Sequence, residues 1–229
     1  MQISIVIPTL NEAATLTKTL CLLKTQDPPI DLWVVDGGSH DQTCQLAAEW
    51  GAQILHSDRG RADQLNQGAQ HATGEILLFL HADTQLPPHF QTEIQGVLAQ
   101  EGVVAGAFPL TIENAGWGLR WVAWWTNQRS RWLQLPYGDQ ALFLKRSQFE
   151  AIGYFPLLPI MEDFELVRRL RKQGKIGLAQ SPVLTSDRRW RKLGWVRTTL
   201  INQLMILGYF AGISPQTLAT WYRSHRGKN

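Results

Sequence analysis

Cysteine is almost missing from this 229-residue chain, which carries only Cys21 and Cys44. Two thiols cannot build a disulfide framework or a cysteine-based zinc centre, and so low a count suits a reducing compartment. At the N-terminus no basic stretch precedes an apolar one. Ile3-Ser4-Ile5-Val6-Ile7-Pro8 reads at once as a strand, so a cytoplasmic rather than a secreted protein is expected. A glycine-rich phosphate loop is missing too. The first strand runs into Pro8-Thr9-Leu10-Asn11-Glu12, which is neither a dinucleotide-binding fingerprint nor a Walker-type loop. No helix-turn-helix, zinc-finger or aromatic RNA-binding signature occurs, which speaks against nucleic acid as a partner.

Acidic residues are scarce in one half. Residues 1–115 carry 4 Lys+Arg against 13 Asp+Glu, whereas the remainder carries 18 against 6, with eight of the ten tryptophans. Such a half either meets something anionic or interfacial, or presents an ordinary solvated basic face. The 44% hydrophobic and 18% charged content is that of a folded chain, long enough for one sizeable core. With no low-complexity linker and no internal repeat, one domain with a C-terminal extension is the simplest division.

What the chain does contain is an alternation of strand and helix. Strands are expected at Ile3–Pro8, Leu32–Asp36, Gln53–Leu55 and Ile76–Leu80, with helices over 11–24, 41–50 and 61–73 between them. Near-continuous apolar strands joined by helices predict an α/β fold, a mostly parallel central sheet with helices on both faces. Ligands of such sheets sit beyond the carboxyl ends of the strands, where Asp36 and Asp83 both fall. After Pro87-Pro88 a helix to about Gln100 is expected. One or two strands follow within 103–112, then a helix over 117–132, a strand over 140–144, a helix over 162–173, a late strand at 183–185 and a helix over 195–213. Two strand-end carboxylates with basic residues nearby suit Mg2+ or Mn2+ bridging a diphosphate.

Three segments resemble glycosyltransferase family 2: Ile5-Val6-Ile7-Pro8-Thr9-Leu10-Asn11-Glu12, then Val34-Val35-Asp36-Gly37-Gly38-Ser39-His40-Asp41-Gln42-Thr43, then Ala72-Thr73-Gly74-Glu75-Ile76-Leu77-Leu78-Phe79-Leu80-His81-Ala82-Asp83-Thr84. They stand in the family's order and approximate spacing, and the likeness covers residues 1–190, leaving 191–229 as a helical extension. The resemblance implies the GT-A (nucleotide-diphospho-sugar transferase) fold, a UDP- or GDP-sugar donor, a divalent cation and inversion at the anomeric carbon. The segments His81-Ala82-Asp83-Thr84 and Pro136-Tyr137-Gly138-Asp139-Gln140, with Arg188-Arg189-Trp190, are most similar to the bacterial subgroup labelled arsenosugar-biosynthesis or radical-SAM-associated.

Carried over residue by residue, the resemblance places Pro8 and Glu12 in the nucleotide pocket, Asp36 on the base, and Arg61 against the nucleotide. Pro8, Glu12 and Arg61 have ordinary readings as well: a strand end, a helix start and a solvated turn. Asp83 matches the last acid of the family's Asp-x-Asp metal motif, but His81 stands where the first acid would be. Imidazole binds Mn2+ and suits Mg2+ poorly, so His81 and Asp83 are the expected metal pair and the ion is open. Met161-Glu162-Asp163-Phe164-Glu165 resembles the family's Glu-Asp motif, which makes Asp163 the expected general base; a plain helix cap is the alternative.

Arg188-Arg189-Trp190 is similar to the arginine-tryptophan end of a motif that follows the base in processive members, although Ser186-Asp187 replaces its glutamine. The likeness puts Arg188 and Trp190 with the donor and Arg189 in catalysis, neutralising the leaving diphosphate. Tyr137, Asp139 and Gln140 sit where members place acceptor-facing residues, with Asp139 a second candidate base and a simple Gly-Asp turn the other reading. Two rival functions stand beside an inverting transferase. One is a sugar-nucleotide nucleotidyltransferase, disfavoured by the missing glycine-rich loop. The other is a non-catalytic, membrane-peripheral binding protein.

Trp117, Trp121 and Trp124 share one helical stripe with Arg120, Arg129 and Arg131 around it. The stripe either lies in a membrane interface or packs into the core or a homodimer. The apolar helix near 196–213 is interrupted by Asn202 and Gln203 and is too short to span roughly 30 Å of hydrocarbon. It docks, dimerises or lies on the inner membrane face, where the unknown acceptor could be lipid-linked.

Overall fold

The computed structural model describes residues 1–24, 26 and 29–225. In chain order the elements are β1 (Ile3–Thr9), α1 (Ala13–Cys21), β2 (Asp31–Asp36), α2 (Thr43–Glu49), β3 (Gln53–His56), α3 (Arg61–His71), β4 (Ile76–Phe79), β5 (Thr84–Gln85), α4 (Phe90–Leu98), β6 (Val103–Ala107) and β7 (Leu110–Ile112). Then come α5 (Trp117–Leu133), a single 3-10 turn at Gly138–Gln140, β8 (Phe143–Lys145), α6 (Arg146–Ala151), α7 (Glu162–Leu170), β9 (Lys175–Leu178), β10 (Val183–Thr185), α8 (Arg188–Leu193), α9 (Trp195–Phe210) and α10 (Pro215–His225).

Seven strands form the central sheet in the order β3-β2-β1-β4-β8-β6-β9, and β5-β10-β7 form a small second sheet. The pairs β3/β2, β2/β1, β1/β4 and β6/β9 are parallel, whereas β8 runs antiparallel to both of its neighbours. The apolar strands follow the pleat. Ile3, Ile5 and Ile7, Leu32 and Val34, and Ile76 and Leu78 enter one core with Leu16, Leu20, Phe90 and Ile94 of α1 and α4. Val6, Trp33, Val35, Leu77 and Phe79 enter the other, with Leu65 of α3 and Leu166 and Leu170 of α7. A strand buried on both faces has no polar alternation to show, which is why these segments read as continuous apolar runs. A third cluster joins Met161 and Phe164 to Ile201, Met205 and Leu218 and so fastens α9 and α10 to α7.

Several boundaries differ from the sequence expectation. The strand expected over 140–144 begins only at Phe143, because Tyr137 and Gln140 close the 3-10 turn with a reciprocal capping box. Within 103–112, where one or two strands are expected, there are two, β6 in the large sheet and β7 in the small one. The strands β5 and β9 and the helices α6, α8 and α10 have no counterpart in the sequence expectation.

Candidate active site

Because β2, β1 and β4 lie side by side, their carboxyl ends bring Thr9, Asp36 and the segment after Phe79 to one edge, with Thr9 in register with Asp36. Asn11 turns left-handed (φ 55°) and stitches the first two loops together: its N–H donates to Ser39 Oγ (2.8 Å), and its amide oxygen accepts from His40 N–H (2.9 Å). Asp36 is 2% exposed. Its oxygens accept from Thr9 Oγ1 (3.2 Å), Gly38 N–H (3.0 Å), Ser39 N–H (2.8 Å) and Ser39 Oγ. Burial alone would push this carboxyl up, but the Ser39, Gly38 and Thr9 hydrogen bonds outweigh it and hold it below its ordinary value. The expected contact with a base is therefore not open in this arrangement: Asp36 holds the loop, and a base would have to displace one of those bonds.

Asp83 faces Arg188. One Nη2 atom lies 2.6 Å from Glu12 Oε2, 2.9 Å from Glu12 Oε1 and 3.3 Å from Asp83 Oδ2. The two carboxylates raise the Arg188 pKa against the opposing effect of burial. A cation already bridges Glu12 and Asp83, so this corner stabilises positive charge. Asp83 would suffice as the protein ligand of an Mg2+ or Mn2+ ion that takes its other ligands from diphosphate and water. His81 does not fit the expected metal pair. Its Nε2 is turned away into the Asp163 cluster, where a Cβ on Gly138 would lie 3.2 Å from it and 2.8 Å from Asp163 Oδ2. Burial and the Arg61 charge depress the His81 pKa to about 3, so the ring is neutral. Among the described residues, the one grouping of three metal-type ligands is elsewhere, at Asp36, Cys44 and His56, and the Asp36 oxygens there are committed to the loop.

Asp163 sits in the first turn of α7 and is tightly held. Its Oδ2 accepts from Gly138 N–H (2.7 Å) and pairs with Arg61 Nη2 (3.3 Å), while Oδ1 accepts from its neighbour Phe164 N–H (2.7 Å). Burial disfavours its charge, yet Arg61 and these N–H groups more than offset that and lower its pKa. Arg61 also reaches Glu162 Oε1 at 3.0 Å, which places it on Glu162 and Asp163 rather than on a solvated turn. Burial drives the Glu162 and Asp139 carboxyls the other way, above their ordinary range, with Arg61 and Arg129 respectively opposing. A cleft with room for about one water is lined by Arg61, His81, Gly138 and Asp163 together with the apolar Leu65, Phe79, Leu80, Leu142 and Phe155. Among the described residues, His81 Nε2 in this cleft is a buried polar atom without a hydrogen-bond partner, and Asp139 Oδ1 and Arg189 Nε are two more. An unpartnered buried polar atom is costly, and His81 Nε2 is one that a polar group entering the cleft would satisfy.

The other expected residues divide. Tyr137 lies under Arg129, whose guanidinium carbon is 3.4 Å from the ring centroid. Gln140 does not face an acceptor: it is fully buried, donating to Phe108 O (3.0 Å) and accepting from Ser130 Oγ (2.7 Å) and Tyr137 N–H (3.3 Å). Arg189 diverges from Arg188 and donates to Asn202 Oδ1 (2.6 Å) on α9. Trp190 packs, partly buried, against the core that contains Ile3, Ile5 and Ile7, and Pro8 stays within β1 opposite Val35. Gly138, Arg129 and Asn202 received no site role from the sequence, since nothing local to them announces which acid or arginine they will meet.

A mostly parallel sheet with acids gathered beyond its strand ends and a helix-borne Asp facing them is the GT-A architecture. The family model "Glycosyl transferase family 2" matches residues 4–158, and the chain belongs to that family. A PGL/p-HBAD biosynthesis glycosyltransferase of Mycobacterium bovis is 42% identical over 91 residues, 36% of each chain. Glycosyltransferase AglE of Haloferax volcanii is 29% identical over 172 residues, covering 67% of this chain and 56% of its own. The chain thus spans about a third of the first relative and just over half of the second. Among solved structures, a mannosyltransferase from Pyrobaculum calidifontis in complex with GDP-Man and Mn2+ aligns with TM-score 0.70 at 22% identity, covering 90% of this chain and 61% of that one. The glucosyl-3-phosphoglycerate synthase of Mycobacterium tuberculosis, in complex with Mn2+, UDP and glucosyl-3-phosphoglycerate, aligns with TM-score 0.62 at 21% identity, covering 89% and 78%. At these identities the structures establish the fold.

Proposed function

We propose that the chain is an inverting glycosyltransferase that moves a sugar from a nucleotide-diphospho-sugar to a hydroxyl acceptor, with Asp163 as general base. The observation that carries this reading is Asp163 itself: a carboxylate kept ionised by Arg61 and Gly138 N–H, beside a small cleft in which His81 Nε2 is unpartnered. In the proposed reaction Asp163 takes the proton of the acceptor hydroxyl. The oxygen attacks the anomeric carbon, and the bond to the diphosphate oxygen breaks on the opposite face, so the new linkage is inverted. Arg61 and Gly138 N–H orient Asp163, and Asp139, whose pKa burial raises, stands beside them as a candidate contact for the acceptor.

On the donor side, Glu12, Asp83 and Arg188 form the diphosphate corner, with Pro8 and the Asp36 loop as the nucleotide wall. Arg188 leaves Glu12 for the diphosphate, and Arg189 and Trp190 support that segment. A divalent cation at Asp83 would neutralise the leaving diphosphate. The GDP-Man, UDP and Mn2+ named for the structural neighbours support a donor of this class. Residues 1–190 are read as the transferase domain and 191–229 as its extension, of which 226–229 lie outside the described residues. The arsenosugar-biosynthesis or radical-SAM-associated subgroup and a cytoplasmic location belong to the same proposal.

Calorimetry with UDP and GDP, with and without Mn2+, tests the donor site: no nucleotide binding in any condition rejects it. Asp163→Asn is expected to keep nucleotide affinity and lose roughly 10²–10⁴-fold in turnover. Normal turnover in that variant removes Asp163 as the base.

A further inference from the structure

Fifteen large hydrophobic side chains are exposed among the described residues, and twelve of them lie on α5, α9 and α10. On α5 they are Trp117, Trp121, Trp124, Trp125, Trp132 and Leu133, with Trp117 78% and Trp132 80% exposed. The stripe is therefore not core. On α9, Val196, Leu200, Leu204, Leu207 and Phe210 recur every three or four residues and make a second exposed stripe. The two helices meet where Trp195 packs edge-on against Trp117 (5.3 Å) and Trp121 (6.4 Å), so close to Gly118 that a Cβ there would sit 2.7 Å from the indole. No described helix is long and apolar enough to cross a membrane.

Charge decides between the candidate occupants of this face. Helices α5, α8, α9 and α10 contain no Asp or Glu at all. Arg120, Arg131, Arg191, Arg197 and Arg223 are exposed on them. A symmetric dimer would set this basic surface against its own copy, with like charges opposed. An anionic bilayer offers the opposite charge together with the interfacial layer that tryptophan rings and arginines favour. We propose that the α5/α9 face docks on anionic phospholipid membranes as a peripheral, non-spanning surface.

The inner sides of the same helices support the catalytic cleft. Ser130 of α5 bonds Gln140, Asn202 of α9 takes Arg189, and Tyr209 of α9 donates to Glu165 (2.7 Å). If the transferase reading holds, docking sets the cleft near the headgroup plane, where a lipid-borne hydroxyl could reach it. The docking itself does not depend on that reading, and nucleotide calorimetry in solution tests the latter separately.

Co-sedimentation of the full chain with vesicles of phosphatidylglycerol and phosphatidylcholine, against pure phosphatidylcholine, is the test. Binding to the anionic vesicles is expected at low salt, with strong loss at about 0.5 M salt. Arg120→Glu/Arg131→Glu should weaken partitioning roughly 25-fold or more, taking about fivefold for each arginine near the surface. Trp124→Ser/Leu204→Ser should abolish binding while melting like the parent chain, as expected for exposed positions. Absence of binding to anionic vesicles at low salt, or equal binding to pure phosphatidylcholine, overturns the proposal. So does a dimer in light scattering that Trp124→Ser/Leu204→Ser converts to monomer, since the face would then belong to a second copy.

Discussion

Gly138 is the tightest point of the candidate site. A Cβ at this position would stand 2.1 Å from Arg61 Nη2, 2.8 Å from Asp163 Oδ2 and 3.2 Å from His81 Nε2. Arg61 cannot swing aside freely, because Glu162 and Asp163 both hold it. Close by, Ala141 (φ 48°) and Met161 (φ 69°) occupy the left-handed region without being glycine, a cost of order 1 kcal/mol or more each that persists where the surroundings demand it. Gly138→Ala should therefore displace Arg61 and Asp163 by fractions of an ångström and reduce turnover by roughly 10²-fold. Steady-state rates beside a melting curve check this: a turnover loss with an unchanged melting temperature locates the damage in the cleft, and unchanged turnover refutes the tight fit. The Asp163 motif was visible in the sequence, whereas the glycine that clamps it was not. Gly-Asp ordinarily marks a turn, and only the fold reveals which acid that turn meets.

Legibility rises at the level of the element, and unevenly. Strands β1, β2 and β4 were plain because both of their faces are buried. Strand β9 escaped because Lys175-Ile176-Gly177-Leu178 lies at the sheet edge with few apolar residues. Periodicity also grouped the α5 tryptophans correctly on one stripe, but a period states which residues share a face, not what that face meets. A buried charge at the opposite end of the sheet was overlooked altogether. Asp31, at the start of β2, accepts from Ser4 Oγ (2.6 Å), Thr73 N–H (2.7 Å), Thr73 Oγ1 (3.0 Å) and Gln53 Nε2 (2.9 Å), so it ties β1, β2, β3 and the turn before β4. Burial opposes its charge, but the Ser4 and Thr73 hydrogen bonds prevail and lower its pKa below the ordinary 3.8. A depressed carboxyl contributes stability that is present above the unfolded value and lost as pH falls through the folded one. Asp31→Asn should then cost about 1–3 kcal/mol at neutral pH and flatten the decline of stability below pH ~4. Urea unfolding at pH 7 and near pH 3 measures both, and an unchanged acid limb would assign that decline to other carboxyls.

Across the whole molecule, the charge asymmetry of the chain is folded inward at the site. The acidic first half sends its scarce cation Arg61 to Glu162 and Asp163 of the second half, and the basic second half sends Arg188 to Glu12 and Asp83 of the first. The Arg188 pairs are partly solvated, so they contribute little as isolated ion pairs; their consequence is for ligand binding. With Arg188 already lodged between two carboxylates, a diphosphate arriving alone would meet Glu12 and Asp83 as like charges. Asp83 would hold a divalent cation that offsets this repulsion, and Arg188 would then be free to turn to the phosphate. Nucleotide and metal should therefore bind with positive coupling, each weak without the other. A ligand at about a hundred times its Kd stabilises the folded state by about 2.7 kcal/mol, which for a chain of this length amounts to a rise of about 5–10 °C in Tm. UDP or GDP with Mn2+ should produce that rise, and nucleotide or Mn2+ alone should produce much less. Asp83→Ala should abolish the Mn2+-dependent part, because Glu12 would remain engaged with Arg188. Equal rises with and without Mn2+ would mean that Arg188 does the cation's work and that Asp83 serves to position it.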